Sequence, residues 1–182
     1  MRYLLLILCF FSNSQFLYWE NLSKEEQNNI ISNDLVNKNI LCFIAGDIKI
    51  KDNEKSRVLL DTLSHLHSDT GIKALYFYTF NGIVSNSDGY ISDMLAIPCL
   101  SILLTDTEFI LSYFEKNNQL MKSYADILGS EFFFKEDGTS SLKYNYNEFK
   151  KILDNKLCNK SEYIKTKFSL YKEIEISMKK MQ

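Results

Sequence analysis

The sequence predicts an all-α, or mostly α, protein, built as an array or bundle of about seven to eight antiparallel helices. Glycine and proline are scarce, at six and one in 182 residues. A β-sandwich or barrel needs these residues at regular intervals for its tight turns. Helix-start patterns occur four times along the chain, and the apolar residues between them recur mostly at intervals of three and four.

Four capping-box patterns mark predicted helix starts. In this pattern an oxygen-bearing side chain precedes a Glu by three residues, and each side chain satisfies a backbone donor that the first helical turn leaves free. The pairs are Ser23/Glu26, Thr105/Glu108, Asn145/Glu148 and Asn159/Glu162.

The first half of the chain predicts three helices. The helix after the first cap is expected to end at Gly46 in the left-handed conformation. The second is expected to begin near Asp52 or Asn53 and to end before Gly71. The third covers about 72–85 and is apolar nearly all round, which predicts burial on several sides.

Three more helices are predicted in the middle of the chain. The fourth follows the turn at 85–89, and Pro98 inside it predicts a kink or break because proline lacks the backbone donor. The fifth and sixth cover about 106–115 and 118–128, where Gly129 is the expected stop.

The segment 131–146 is the least helical in composition. The Asp-Gly pair at 137–138 is a turn signal, and Leu142, Tyr144 and Tyr146 alternate with polar residues. A small β-hairpin is therefore the alternative to helix in this segment.

Two further helices, at about 147–155 and 161–180, complete the predicted array. Short links between consecutive helices favour antiparallel packing. The series of helical pairs resembles HEAT and tetratricopeptide arrays in general architecture, although no repeated sequence motif accompanies it. Residues 15–182 are expected to form a single helical domain.

Residues 1–14 have the layout of a secretory signal peptide. Arg2 provides the basic start, an apolar run of about nine residues follows, and Ser12 and Ser14 stand where cleavage requires small side chains. The run is well short of the roughly twenty residues that cross a bilayer. We therefore expect an exported protein, periplasmic or secreted, that begins at Gln15 and has no transmembrane segment. The alternative is an apolar N-terminal core helix.

The cysteines do not predict a disulfide framework. Export would remove Cys9 and leave Cys42, Cys99 and Cys158, which can form at most one internal bridge. Cys42 and Cys99 lie in apolar runs and are expected to behave as buried small hydrophobes. Cys158 lies between lysines, and no histidine lies near it in the sequence to support a nucleophilic role.

Asp61, His65 and Asp69 are the main candidates for catalysis. On one continuous helix, their spacing of four and four places a carboxylate on either side of an imidazole. Such a set can bind a metal ion or orient a general base. The competing interpretation, which we favour, is an exposed polar stripe in which Asp69 caps the next helix. His67 is two residues from His65, a spacing that separates the two side chains on a helix.

Three consecutive phenylalanines, Phe132, Phe133 and Phe134, are candidates for contact with a partner. They cannot all face inward from one strand or one helix, which makes at least one of them a candidate for exposure at the surface. A segment that is buried on both sides is the alternative, and the sequence does not favour one over the other. Tyr144 and Tyr146 follow in the same segment and join them as candidate binding residues.

Charge is unevenly distributed along the chain. Residues 143–182 carry ten lysines against five acidic residues, whereas residues 15–142 carry ten basic and eighteen acidic residues. The C-terminal lysines are interspersed with glutamates and apolar residues. This pattern favours docking of the C-terminal helices onto the acidic part of the chain, or a solvated helix face, over binding to nucleic acid or to an anionic membrane surface.

The sequence favours an exported, non-enzymatic protein-binding module without a cofactor. It contains no phosphate-binding glycine loop, dinucleotide fingerprint, nucleophile elbow, His-Glu-x-x-His motif or Cys-x-x-Cys pair. The profile resembles that of small periplasmic immunity proteins, which neutralise a toxin or an enzyme. The expected contact residues are Asp61, Asp69, Phe132, Phe133, Phe134, Tyr144 and Tyr146.

Two other functions remain open from the sequence. One is a metal-assisted hydrolase that uses Asp61, His65 and Asp69. The other is a carrier whose aromatic run at 76–80 lines a cavity for an apolar ligand, although such a run is also typical of a helical core.

Overall fold

The computed structural model describes residues 16–87, 89–136 and 138–182, and the predicted signal peptide lies outside them. The described residues form nine α-helices and contain no strand, which confirms the all-α prediction. The helices are α1 (Lys24–Ile31), α2 (Lys38–Ile44), α3 (Glu54–Ser64), α4 (Thr70–Ser85), α5 (Gly89–Thr105), α6 (Thr107–Lys116), α7 (Asn118–Glu136), α8 (Tyr146–Lys156) and α9 (Ile164–Lys180). Short 3-10 helices occupy Trp19–Asn21 and Ser161–Tyr163.

Four of the helices form a continuous row. Helices α3, α5, α7 and α9 are successive neighbours, so each packs beside the helix two further along the chain. Helix α4 packs against α1, α3 and α7, whereas α6 packs against α5, α7 and α9. This alternation agrees with the predicted helical array.

Two of the four predicted capping boxes are present. Before α1 and α8, the cap side chain accepts a hydrogen bond from the backbone N–H of the Glu, whose carboxylate accepts one from the cap backbone. The predictions of capping boxes at Thr105 and Asn159 are wrong. Helix α6 begins after Asp106, whose side chain makes no cap, and the 3-10 helix Ser161–Tyr163 also lacks a side-chain cap.

The first predicted helix is divided into α1 and α2 by a turn. The Asn33 side chain accepts a hydrogen bond from the Leu35 N–H at 2.9 Å, and Asn37 caps α2 by accepting from the Asn39 N–H at 2.8 Å. Asparagine side chains that bond to nearby backbone compete with the helical ladder, which explains the break. Gly46 follows α2 with a φ of 86°, as predicted.

Helix α5 continues through Pro98, so the expected break is absent, whereas the alternative expectation of a kink stays a prediction. Leu95, Cys99 and Ile102 are fully buried on both sides of the proline. Tertiary packing of this apolar helix outweighs the loss of one backbone hydrogen bond.

Helix α7 also extends past its predicted end at Gly129. A Cβ atom at Gly129 would lie 2.5 Å from the Ser177 Cβ and 2.9 Å from the Ile174 carbonyl oxygen. The glycine therefore permits close contact between α7 and α9. The hairpin considered for 131–146 does not form in the described residues, because α7 continues to Glu136 and buries Phe132.

The aromatic run in α4 belongs mainly to the core, as predicted. Phe77 and Phe80 are buried, and the Phe80 ring lies 6.3 Å from the ring of Tyr124 on α7. Phe114 on α6 contacts the same tyrosine at 5.1 Å. Tyr78 is the exception, since it is 45% exposed. The rings of Phe80 and Phe114 thus join α4 and α6 to α7.

Two tyrosines connect α8 to α9. The Tyr146 hydroxyl lies 3.0 Å from Glu175 Oε1 and 3.2 Å from the Tyr171 carbonyl oxygen. The Tyr171 hydroxyl lies 3.1 Å from Asp154 Oδ1 and 3.2 Å from the Lys150 carbonyl oxygen. Burial and the neighbouring carboxylates raise the pKa of both phenols.

Candidate functional site

A surface groove of about 830 Å³ lies between α3 and α5 and is named the α3–α5 groove. Its lining includes Arg57, Asp61 and His65 from the α3 side and Asp93, Ile97 and Pro98 from α5. The sequence analysis selected Asp61 and His65 from this set. It missed the α5 side, because nothing in the local sequence indicates that α5 packs beside α3.

The structure does not place Asp61, His65 and Asp69 on one helical face. Helix α3 ends at Ser64, and His65 adopts the non-helical backbone angles of its C-terminal cap. Asp69 is the cap of α4, where its Oδ1 accepts hydrogen bonds from the Gly71 and Ile72 N–H groups, both at 2.9 Å. The interpretation of Asp69 as a helix cap is confirmed.

The pairing of Asp61 with His65 is an exposed surface contact. His65 Nδ1 lies 2.8 Å from the Asp61 carbonyl oxygen and 3.6 Å from Asp61 Oδ1, with the two side chains 71% and 74% exposed. Among residues 16–87, 89–136 and 138–182, no cluster of three His, Cys, Asp or Glu side chains is able to hold a metal ion. The geometry therefore gives no support to the metal-assisted hydrolase.

The second histidine has a local role in the turn between α3 and α4. His67 Nδ1 accepts a hydrogen bond from the Asp69 N–H at 3.0 Å, and its ring lies edge-on to Tyr76 at 6.4 Å. The hydrogen bond supports the cap of α4, and the ring contact connects His67 to the body of the same helix. His67 is therefore a structural residue of this turn.

The α3–α5 groove carries an excess of negative charge. Arg57 forms an ion pair with Asp52 at 3.0 Å, which neutralises one of the three carboxylates in the lining. Asp61 has only His65 within ion-pair distance in the described structure, and no cation lies within that distance of Asp93 there. Two exposed carboxylates are thus available to an external cation.

The groove also exposes apolar surface. Ile97 is 54% exposed, and the half-buried Met94 and the buried Pro98 lie in the same lining. A large aliphatic side chain that lies among carboxylates gives the groove an amphipathic character. Such a surface suits a partner with complementary apolar and basic groups.

The phenylalanine segment contributes less to the surface than the sequence predicted. Phe132 is fully buried and Tyr146 is 7% exposed, so neither is available to a partner in this fold. Their rings pack together at 5.7 Å in the core between α7 and α8. Phe133 and Tyr144 are half-buried. Phe134 is 42% exposed, which confirms that at least one of the three phenylalanines reaches the surface.

The cysteines in the described residues are free thiols. Cys99 is fully buried, as predicted, and burial raises the pKa of its thiol. Cys42 is half-buried and Cys158 is exposed. The three residues belong to α2, α5 and the turn after α8, and none of them lines the α3–α5 groove.

Among the residues that the structure describes, two ion pairs connect the basic C-terminal part of the chain to its acidic part, as expected. Lys160 Nζ lies 3.1 Å from Glu108 Oε2, and Lys180 Nζ lies 3.3 Å from Asp126 Oδ1. Both pairs are well exposed to solvent, so each contributes little to stability. They nevertheless show that some C-terminal lysines are engaged within the chain.

A second cleft, of about 410 Å³, lies where α2, α4 and α6 meet and is named the α4 cleft. Its lining includes Phe43, Tyr78, Asn81, Gly82, Tyr113 and Leu120. The sequence analysis treated most of α4 as core and missed this cleft. The available signal was the Asn81-Gly82 pair, a polar residue and a glycine inside an otherwise apolar helix.

Comparison with known proteins gives no match, whether to a family model, to a curated protein or to a solved structure. Within the described residues, no single helix is long and apolar enough to cross a membrane. In the same part of the chain, one pair of helices, Ile91–Thr105 and Thr107–Lys116, has the combined length and hydropathy of a membrane span, but the two are bent by 106° relative to each other.

Proposed function

We propose that the protein is a binding module that takes up a basic, amphipathic segment of another protein in the α3–α5 groove. The observation that carries the proposal is the 54% exposure of Ile97 in a groove that also presents Asp61 and Asp93. An apolar side chain of the partner would cover Ile97. Lysine or arginine side chains of the partner would pair with the two carboxylates.

The energetics favour this division of roles. Covering Ile97 removes apolar surface from water, at about 25 cal/mol for each Å² buried. The exposed carboxylates contribute more to the association rate and to the choice of partner than to affinity. The acidic excess of residues 15–142 extends the same charge preference to the surrounding surface.

Export is part of the proposal and follows from the N-terminal sequence. The basic start, short apolar run and small residues before Gln15 support a cleaved signal peptide. Mass measurement of the protein isolated from its host is expected to give a chain that begins at Gln15. A chain in the cytoplasmic fraction that still begins at Met1 would remove export from the proposal.

The first test identifies the partner. Native mass spectrometry of the protein, purified gently from the exported fraction, is expected to show a second protein at fixed stoichiometry. If that protein is a toxin or an enzyme that loses activity in the complex, the narrower immunity-type function is supported. A protein that is recovered without any bound chain would argue against a stable complex.

The second test locates the binding surface with a defined probe. A short, fluorescein-labelled helical peptide of leucine and lysine supplies the apolar and basic groups that the groove requires. The double change Asp61→Lys and Asp93→Lys is expected to weaken its binding at least about tenfold, and Ile97→Asp is expected to do the same. Fluorescence anisotropy measures both effects.

Matched variants elsewhere on the surface provide the controls. Glu25→Lys with Asp47→Lys reverses two exposed acidic residues outside the groove, and Phe168→Asp changes an apolar side chain that is 60% exposed on α9. These variants are expected to bind the peptide with almost the same affinity as the wild-type protein. Equal weakening in groove and control variants would mean that the peptide responds to overall charge, and the groove would not be its site.

A further inference from the structure

We infer that the α4 cleft binds a small, neutral and mainly apolar molecule whose oxygen accepts a hydrogen bond from the side-chain amide of Asn81. This site is separate from the α3–α5 groove, because the two linings share no residue. The inference rests on an unpartnered buried donor, on an open position beside Gly82 and on the composition of the lining.

Asn81 has an unused hydrogen-bond donor. The residue is 6% exposed, and its Oδ1 accepts a hydrogen bond from the Tyr124 hydroxyl at 3.0 Å. Its Nδ2 is buried and has no partner among the described residues. A buried donor without a partner is costly, and native proteins contain few of them. A ligand oxygen that accepts a hydrogen bond from Nδ2 would remove this cost.

Gly82 leaves space beside this donor. It lies inside α4, where glycine is less favourable than alanine by about 1 kcal/mol. A Cβ atom at this position would meet no atom within 4 Å, so the packing of the chain does not require a glycine. The missing side chain instead keeps the wall of the cleft open next to Asn81.

The rest of the lining indicates the kind of ligand. Phe43, Tyr78 and Leu120 supply aromatic and aliphatic surface, and the cleft volume of about 410 Å³ lies within the range typical of small-molecule sites. Glu20 accepts a hydrogen bond from the Tyr113 hydroxyl in the same lining. Its carboxylate disfavours an anionic ligand. The ligand class is therefore a neutral apolar molecule with a carbonyl or hydroxyl oxygen.

Prodan, a neutral naphthalene dye with one ketone oxygen, is a suitable probe. Its fluorescence reports both burial and hydrogen bonding to the ketone. We expect saturable binding of one dye per chain. We also expect the Asn81 side-chain amide resonance in a nitrogen-labelled NMR sample to move when the dye is added, with Asn81→Leu used to assign that resonance.

Two variants test the assigned contacts. Asn81→Leu keeps a side chain of similar size but removes the donor, and it is expected to weaken dye binding about tenfold. Gly82→Phe fills the open side of the cleft and is expected to abolish binding. Lys151→Phe adds the same ring at an exposed position on α8 and is expected to leave binding unchanged. Circular dichroism and thermal melting establish that each variant is folded.

The outcomes distinguish between a ligand-binding role of the Asn81 side chain and a role in the fold alone. Loss of binding in Gly82→Phe, weakened binding in Asn81→Leu and a shifted amide resonance support the inference together. The inference is overturned if the dye does not bind saturably, if it binds both cleft variants as tightly as Lys151→Phe, or if it binds without moving the Asn81 resonance. None of these outcomes depends on the α3–α5 groove.

Discussion

Gly129 and Gly82 both lie inside long helices, yet their surroundings differ completely. A Cβ at Gly129 would overlap Ser177 on α9, whereas a Cβ at Gly82 would meet nothing within 4 Å. The buried polar groups of the two regions also differ in whether they have hydrogen-bond partners. Between α7, α8 and α9 the buried hydroxyls of Tyr146 and Tyr171 have partners, whereas Asn81 beside Gly82 has an unpartnered Nδ2. The region around Gly129 is thus filled by contacts within the chain, whereas the region around Gly82 has open space and an unpaired hydrogen-bond donor.

The largest expected effect comes from emptying the C-terminal core. Phe149 is fully buried, and its ring lies 5.3 Å from Phe132. Phe149→Ala is expected to lower the free energy of unfolding by about 3–5 kcal/mol, because it removes a buried ring and leaves a cavity. Urea denaturation measures the change. The control is Phe168→Ala, whose side chain is 60% exposed and whose loss is expected to cost less than about 1 kcal/mol.

The second effect comes from adding a methyl group at the contact between α7 and α9. Gly129→Ala places a Cβ against Ser177 and the Ile174 backbone, so the helices must separate. We expect a net loss of about 1–3 kcal/mol in the free energy of unfolding, despite the better helix propensity of alanine. If urea denaturation gives the same free energy of unfolding for Gly129→Ala and for the wild-type protein, α9 is able to shift away from the added methyl group without loss of stability.

The third effect depends on pH. Because burial and nearby carboxylates raise the pKa of Tyr146 and Tyr171, the folded state retains these protons at pH values where the unfolded chain releases them. Stability is therefore complete below the ordinary tyrosine pKa of about 10 and declines as the pH rises above it.

Tyr146→Phe isolates this contribution. At neutral pH the variant is expected to be less stable by about 1 kcal/mol, because the hydrogen bond to Glu175 is lost. Above pH about 10 its stability is expected to decline less steeply than that of the unchanged protein. Tyrosinate absorbance and circular dichroism, followed together against pH, measure both. Parallel declines in the two proteins would mean that Tyr146 does not contribute to the alkaline transition.

The smallest expected effect on stability comes from adding a methyl group at Gly82. Gly82→Ala is expected to raise the free energy of unfolding by about 0.5–1 kcal/mol, because alanine favours the helix and meets no neighbour. If the two surroundings differ as described, thermal melting is expected to show a higher melting temperature for Gly82→Ala and a lower one for Gly129→Ala, each relative to the wild-type protein. Destabilisation at both positions would mean that the α4 cleft is closed in solution.

Sequence reasoning succeeded where the determining interactions are local. The caps at Asn53, Asp69 and Asn145 were predictable because each satisfies backbone donors within three residues. The all-α class follows from many such signals together. The prediction that Gly129 ends a helix was wrong because the role of this glycine depends on Ser177, a residue on another helix.

The candidate site was predictable only in part for the same reason. Asp61 and His65 stood out because the protein has only two histidines. Asp93 and Ile97 lie opposite them through the packing of α5 beside α3, which no short motif indicates. Asp61 and His65 were thus visible as candidates in the sequence, whereas the groove that they border was not.

The close contact at Gly129 also has a consequence for synthesis. A ribosome makes α7 before α9, so a nascent chain that stops before Ile164 has α7 without the helix that covers its glycine-containing face. That face carries apolar surface that becomes buried only when α9 has left the exit tunnel and docked. During this interval the unfinished chain is exposed to aggregation and to chaperones, which recognise such surfaces.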